Sequence, residues 1–205
     1  MAFLDHTIGI LINPDNEWKL IRDQKESFRG VFISHVPFLA LIPVLSAFYG
    51  VTQVGWAVGG GDPVKLTTES ALSLCALTYV ALLAGIFIFG EFINWMSRTY
   101  GVQGDEDRIH YDGTALAVYV TIPLLLVGIF MVYPVLWLNA IVTTIAGAYS
   151  IYLIYEGIPI LMNLDKDRSF MYASSVVTVG LVLMVTAMIT TVIIWGMGVS
   201  PEFID

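Results

Sequence analysis

Long apolar stretches separated by short polar connectors set the pattern of this chain. A membrane-crossing helix needs about 20 apolar residues, because each advances about 1.5 Å through a hydrocarbon layer about 30 Å thick. Five stretches reach that length: about 31–51, 71–95, 114–133, 135–158 and 171–197. The third and fourth belong to one run, Ala115 to Tyr155, almost wholly apolar for 41 residues. As a single helix it would be about 60 Å long, twice the hydrocarbon thickness, so it must turn back. Tyr133-Pro134 marks the turn, since proline ends the incoming helix and Tyr133 and Trp137 suit the headgroup level. The pattern predicts an all-α, polytopic membrane bundle of five transmembrane helices over 31–205, preceded by a cytoplasmic interfacial amphipathic segment at 1–30.

Within that N-terminal segment, Leu4, Ile8, Leu11 and Ile12 share a helical face. Asn13-Pro14 then restarts the chain, with Asn13 as cap and Pro14 at the first helical position. Trp18, Ile21 and Phe28 recur on one side of the next helix, with Lys19, Arg22 and Lys25 beside them. This is the pattern of a helix lying in the membrane interface; a solvated helix packed on the cytoplasmic loops is the other reading. The stretch Phe3 to Ile12 is interrupted by Asp5, His6 and Gly9 and followed by charges, which argues against a signal peptide. Val51 to Gly61 is apolar and glycine-rich, and reads as a segment along the outer interface anchored by Trp56.

Composition agrees with lipid as the solvent. Hydrophobic residues make up 57% of the chain and charged residues 13%, about half the charged share of a soluble domain. The mean hydropathy is +0.80. A net charge of −8 argues against nucleic-acid binding. Cys75, the single cysteine, lies in an apolar run and reads as a packing residue. The basic residues orient the chain. Lys19, Arg22, Lys25, Arg29, Arg98, Arg108, Lys166 and Arg168 fall on one side, and only Lys65 on the other. The positive-inside rule then places the N-terminus in the cytoplasm and the C-terminus outside.

Ionisable groups at membrane depth are costly and mark candidate sites. His35, Glu91 and Glu156 are three, all in the cytoplasmic half. Asn94 and Arg98 follow Glu91 on its helical face, Tyr149 and Tyr152 precede Glu156 on its own, and His110 and Asp112 stand at the same level. Two carboxylates and a histidine suit a divalent cation or a proton relay, with His35, Glu91 and Glu156 as the candidate metal ligands. Alternatively, Glu91 pairs with Arg98 or Arg29, Glu156 accepts a tyrosine hydroxyl, and His35 lies at the headgroup level. No P-loop, HExxH or nucleophile pattern occurs, so the chain reads as no enzyme and as needing no organic cofactor. Candidate ligands are a divalent cation or a bound lipid; candidate partners, beyond the lipid bilayer, are a membrane protein or a second copy.

The stretch Gly9-Ile-Leu-Ile-Asn-Pro-Asp-Asn-Glu-Trp18 resembles the opening segment of bacterial Yip-family proteins. Tyr149-Ser-Ile-Tyr-Leu-Ile-Tyr-Glu-Gly-Ile-Pro159, running on to Leu161-Met-Asn163 and Phe170-Met-Tyr172, resembles that family's fourth span and following loop. The resemblance covers most of the chain and implies five spans with the N-terminus in the cytoplasm of a prokaryote. It marks Tyr149, Tyr152, Glu156, Gly157 and Pro159 as family-like positions. Eukaryotic Yip proteins associate with Rab-type GTPases and carry a long cytosolic N-terminal region. This chain has only about thirty residues there, which argues against a small GTPase as partner. The leading expectation is a Yip-like membrane-organising or partner-binding module. A small cation or proton transporter using Glu91, Glu156 and His35 is the alternative, and a lipid-handling protein the third. Reporter fusions at the two termini should fall on opposite sides of the membrane; matching locations would sink the five-span reading.

Overall fold

The computed structural model describes residues 2–23, 27–57, 61–198 and 200–204, with backbone alone at 2–5 and 28. Lys25, Gly59 and Gly60 and the side chains of Leu4 and Phe28, all used in the sequence reading, lie outside that description. Seven α-helices follow one another among the described residues: α1 (Ala2–Ile12), α2 (Pro14–Asp23), α3 (Phe28–Tyr49), α4 (Thr68–Ser97), α5 (Glu106–Val127), α6 (Leu136–Leu161) and α7 (Lys166–Gly196). A π-helical turn, Gly50–Val54, prolongs α3, and a 3₁₀ turn, Gly128–Val132, prolongs α5. Five helical stretches are long and apolar enough to cross a membrane: Arg29–Val54, Thr68–Ser97, Glu106–Val132, Leu136–Leu161 and Lys166–Gly196. The five-helix, all-α membrane bundle expected from the apolar pattern is the observed fold.

Helix starts follow local chemistry. Ser27, Thr67, Asp105 and Asp165 each accept a hydrogen bond from the backbone N–H three residues on, at Gly30, Ser70, Arg108 and Arg168. Each satisfies one of the donors a helix leaves unpaired at its first turn. The entry to α6 has no such cap. There the chain turns at Tyr133-Pro134, as the length of the apolar run requires. The Asn139 side chain ties the turn by donating to the carbonyls of Tyr133 and Val135, at 2.9 and 3.0 Å.

The helix α5 is the centre of the bundle. Of its apolar window 56% is buried, whereas none of the α7 window is. Ala115, Leu116, Ala117, Tyr119 and Ile122 of α5 have no exposed surface, and α3, α4 and α6 pack around them. The outer helices turn apolar surface outward, as at Leu181, Met188 and Val192 of α7 and Leu72 and Val80 of α4. Such surface is stable against lipid and would aggregate in water.

Two segments make protein contacts that the apolar pattern alone does not specify. Trp18 and Ile21, the lipid-interface face of the pattern, are fully buried within the protein, as is Ile10 of α1. The helix pair α1–α2 packs on α5 and α6, leaving Ile8, Ile12 and Leu20 exposed. Trp56 is held by the C-terminal tail as well as by its own loop. It bridges to Val64, and its ring meets that of Phe203 edge-on, with centroids 5.9 Å apart. Leu66 bridges to Phe203, Thr67 N–H donates to the Glu202 carbonyl at 2.9 Å, and Ile204 N–H donates to the Lys65 carbonyl at 2.9 Å. The α3–α4 connection and the C-terminal tail thus close one end of the bundle together.

Candidate functional site

The opposite end is closed by the N-terminal helix pair, and its polar groups gather around Tyr119. His35, on α3, is almost fully buried. Its Nδ1 lies 3.0 Å from the Val31 carbonyl and 2.7 Å from Ser34 Oγ, and its Nε2 lies 3.3 Å from the Tyr119 hydroxyl. The Tyr119 ring also meets Trp18 edge-on, with centroids 6.1 Å apart at 90°, and His6 at 6.3 Å. His6 of α1 pairs in turn with Glu17 of α2. Glu17 is buried (8% exposed), and a buried carboxylate is stable only with a partner. Gly9 makes room for it, since a Cβ there would lie 1.9 Å from Glu17 Oε2. Four helices thus converge on one tyrosine.

The helix pair is docked through its backbone. The last carbonyls of any helix lack intrahelical partners. Near the end of α1, the carbonyls of Ile10 and Leu11 accept from the Tyr149 hydroxyl of α6, at 3.2 and 3.0 Å. Near the end of α2, the Ile21 carbonyl accepts from the Tyr111 hydroxyl at 2.9 Å, and the Arg22 carbonyl from Arg108 Nη2 at 2.5 Å. Arg108 brings positive charge to the negative end of the α2 dipole. It is held there by Asp112, one turn along α5, at 2.6 Å.

The remaining candidates are spread over separate settings. Glu91 faces His110 at 3.9 Å, each about two-fifths exposed. His110 Nδ1 lies 3.4 Å from Asn94 Nδ2, while Asn94 Oδ1 is buried without a partner among the described residues. Arg98 reaches Glu106 at 2.5 Å, so the ion pair of Glu91 is with His110 across to α5. Glu156 is half-buried and makes no hydrogen bond or ion pair among the described residues. The hydroxyl of Tyr149 goes to α1, and Tyr152 is exposed with its ring against Tyr149. Among the described residues no three of His, Cys, Asp and Glu gather closely enough to hold a metal ion, so His35, Glu91 and Glu156 form no such group. Sequence reasoning missed His6 and Glu17. They lie on either side of the Asn13-Pro14 restart, which a back-folded pair of helices brings together, but polar neighbours on both sides gave neither a distinct signal.

The Yip1 domain family model matches residues 8–187, from the middle of α1 to well into α7. This chain belongs to the Yip1 domain family. The matched span includes the second half of α1, all of α2 and the Tyr149–Pro159 stretch that carries part of the resemblance. The chain is 36% identical over 195 residues to the inner membrane protein YohC of Escherichia coli strain K12, covering 95% of this chain and 98% of YohC. YohC of a second Escherichia coli strain matches to the same degree. No solved structure matches at a significant level.

At Gly157 the docked pair packs closely on α6. A Cβ there would lie 2.8 Å from the Trp18 ring and 2.9 Å from Leu116. Gly157→Leu should therefore lower stability by about 1–3 kcal/mol through overpacking. Its hydrogen exchange should speed up in α1 and α2 while α5 stays protected. Unchanged exchange in α1 and α2 would show that the Trp18–Gly157 contact does not seat them.

Proposed function

We propose that this Yip1-family chain is a non-enzymatic membrane-organising module that binds a protein partner, either another membrane protein or a second copy of itself. The observation that carries this reading is the docked helix pair. The bundle commits Tyr149, Tyr111 and Arg108 to holding α1 and α2 in one position. Residues held at that cost present a fixed outward face, with Ile8, Ile12 and Leu20 interspersed among Asp15, Lys19 and Asp23. Mixed faces of that kind suit protein contacts. The setting proposed is the cytoplasmic membrane of a prokaryote, with this face in the cytoplasm. The eight-to-one distribution of basic residues and the likeness to an inner membrane protein support it. A photo-crosslinker at Leu20, used in native membranes, should capture one specific protein or a second copy. A consistently monomeric, partner-free result would count against the proposal.

Movement of a proton or cation is the second reading. Two observations favour it: the buried His35–Tyr119 hydrogen bond and the Glu91–His110 pair, both between membrane-crossing helices. On that reading Glu91→Gln abolishes flux in proteoliposomes. Wild-type protein that moves no ion under any imposed gradient would dispose of it.

A further inference from the structure

The helix α6 ends at Leu161 and α7 begins at Lys166, so the turn between them lies at a membrane face, on the same side as the docked pair. Beside this turn is an open groove of about 780 Å³. Tyr155 and Pro159 line it from α6, and Phe170 and Met171 from α7, together with Lys166 and Asp167. The Tyr155 and Phe170 rings lie 5.6 Å apart, tilted by 39°. The Tyr155 hydroxyl is already engaged with Ser174 Oγ at 2.9 Å, so the wall it offers is its ring. Phe170 and Met171 are both more than half exposed. Water is a poor occupant of such a wall, and at this depth the alternative solvent is lipid.

Charge narrows the occupant. Asp165 and Arg168 pair with each other at 3.3 Å. Lys166 and Asp167 make no hydrogen bond or ion pair among the described residues. They therefore offer one positive and one negative group, at successive positions of α7, in the lining of an apolar trough. A simple anion is poorly served, because Asp165 and Asp167 both stand at the first turn of α7. A headgroup bearing both phosphate and ammonium matches the pair, and an ammonium is also attracted to an aromatic face such as that of Phe170.

We propose that this groove binds a phospholipid with an amine-bearing, zwitterionic headgroup. Asp167 takes the ammonium, Lys166 takes the phosphate, and an acyl chain lies along Tyr155, Pro159 and Met171. The site is independent of the partner face on α1 and α2. The test is native mass spectrometry of the full chain released from nanodiscs of equal parts dioleoyl phosphatidylethanolamine and dioleoyl phosphatidylglycerol. The ethanolamine lipid should be retained about tenfold over the glycerol lipid. Asp167→Asn and Lys166→Gln should each remove most of that selectivity, as loss of a charged hydrogen bond is worth about tenfold or more. Lys65→Gln, at the other end of the bundle, should leave it intact. Equal retention of the two lipids, preference for the glycerol lipid, or selectivity unchanged in both variants would overturn the proposal. The wild-type ratio decides alone if a variant fails to fold.

Discussion

The constraint on which this structure turns is the satisfaction of backbone carbonyls at helix ends. Two short helices are buried against a membrane bundle, and their final carbonyls have no partner of their own. Leaving such a group buried and unpaired costs about 1–3 kcal/mol. Tyr149, Tyr111 and Arg108 remove that penalty from outside, reaching from α6 and α5 to four carbonyls of α1 and α2. With the carbonyls served, the apolar faces of the pair can be buried, and Trp18, Ile10 and Ile21 become part of the core.

The Tyr119 cluster depends on that docking. His6 and Glu17 arrive on α1 and α2, while Tyr119 and His35 belong to α5 and α3. None of these groups is well placed in lipid by itself. Glu17 has His6, His35 has Ser34 and Tyr119, and the aromatic ring of Tyr119 separates the two pairs. The bundle around them is graded from an enclosed α5 to an α7 open to lipid. The costly polar groups accordingly lie on or against the inner helices, and the outermost helix is apolar over most of its length.

Much of this was legible from residues alone. Five spans follow from length and hydropathy, because a helix in hydrocarbon satisfies its own backbone and needs only enough apolar residues to cross. The fold of the long run at Tyr133-Pro134 follows from the same arithmetic. Family membership was readable from the Gly9–Trp18 and Tyr149–Pro159 stretches. The amphipathic face of α2 was also visible, but an apolar stripe carries no record of whether lipid or protein will cover it. Trp18 and Ile21 are covered by protein, and Gly157 of α6 leaves the room that the Trp18 ring needs.

What the sequence determined by itself is therefore the part set locally: helix length, helix ends, the number of crossings and the side on which basic residues collect. What only the tertiary structure decided is which polar groups meet. His6 finds Glu17 across a turn, Arg98 finds Glu106 where Glu91 was the nearer candidate along the helix, and Glu91 faces His110. Such pairings depend on the rotation of each helix about its own axis. That rotation is chosen by close packing and by the need to satisfy every buried polar atom at once, and no single stretch of sequence carries it.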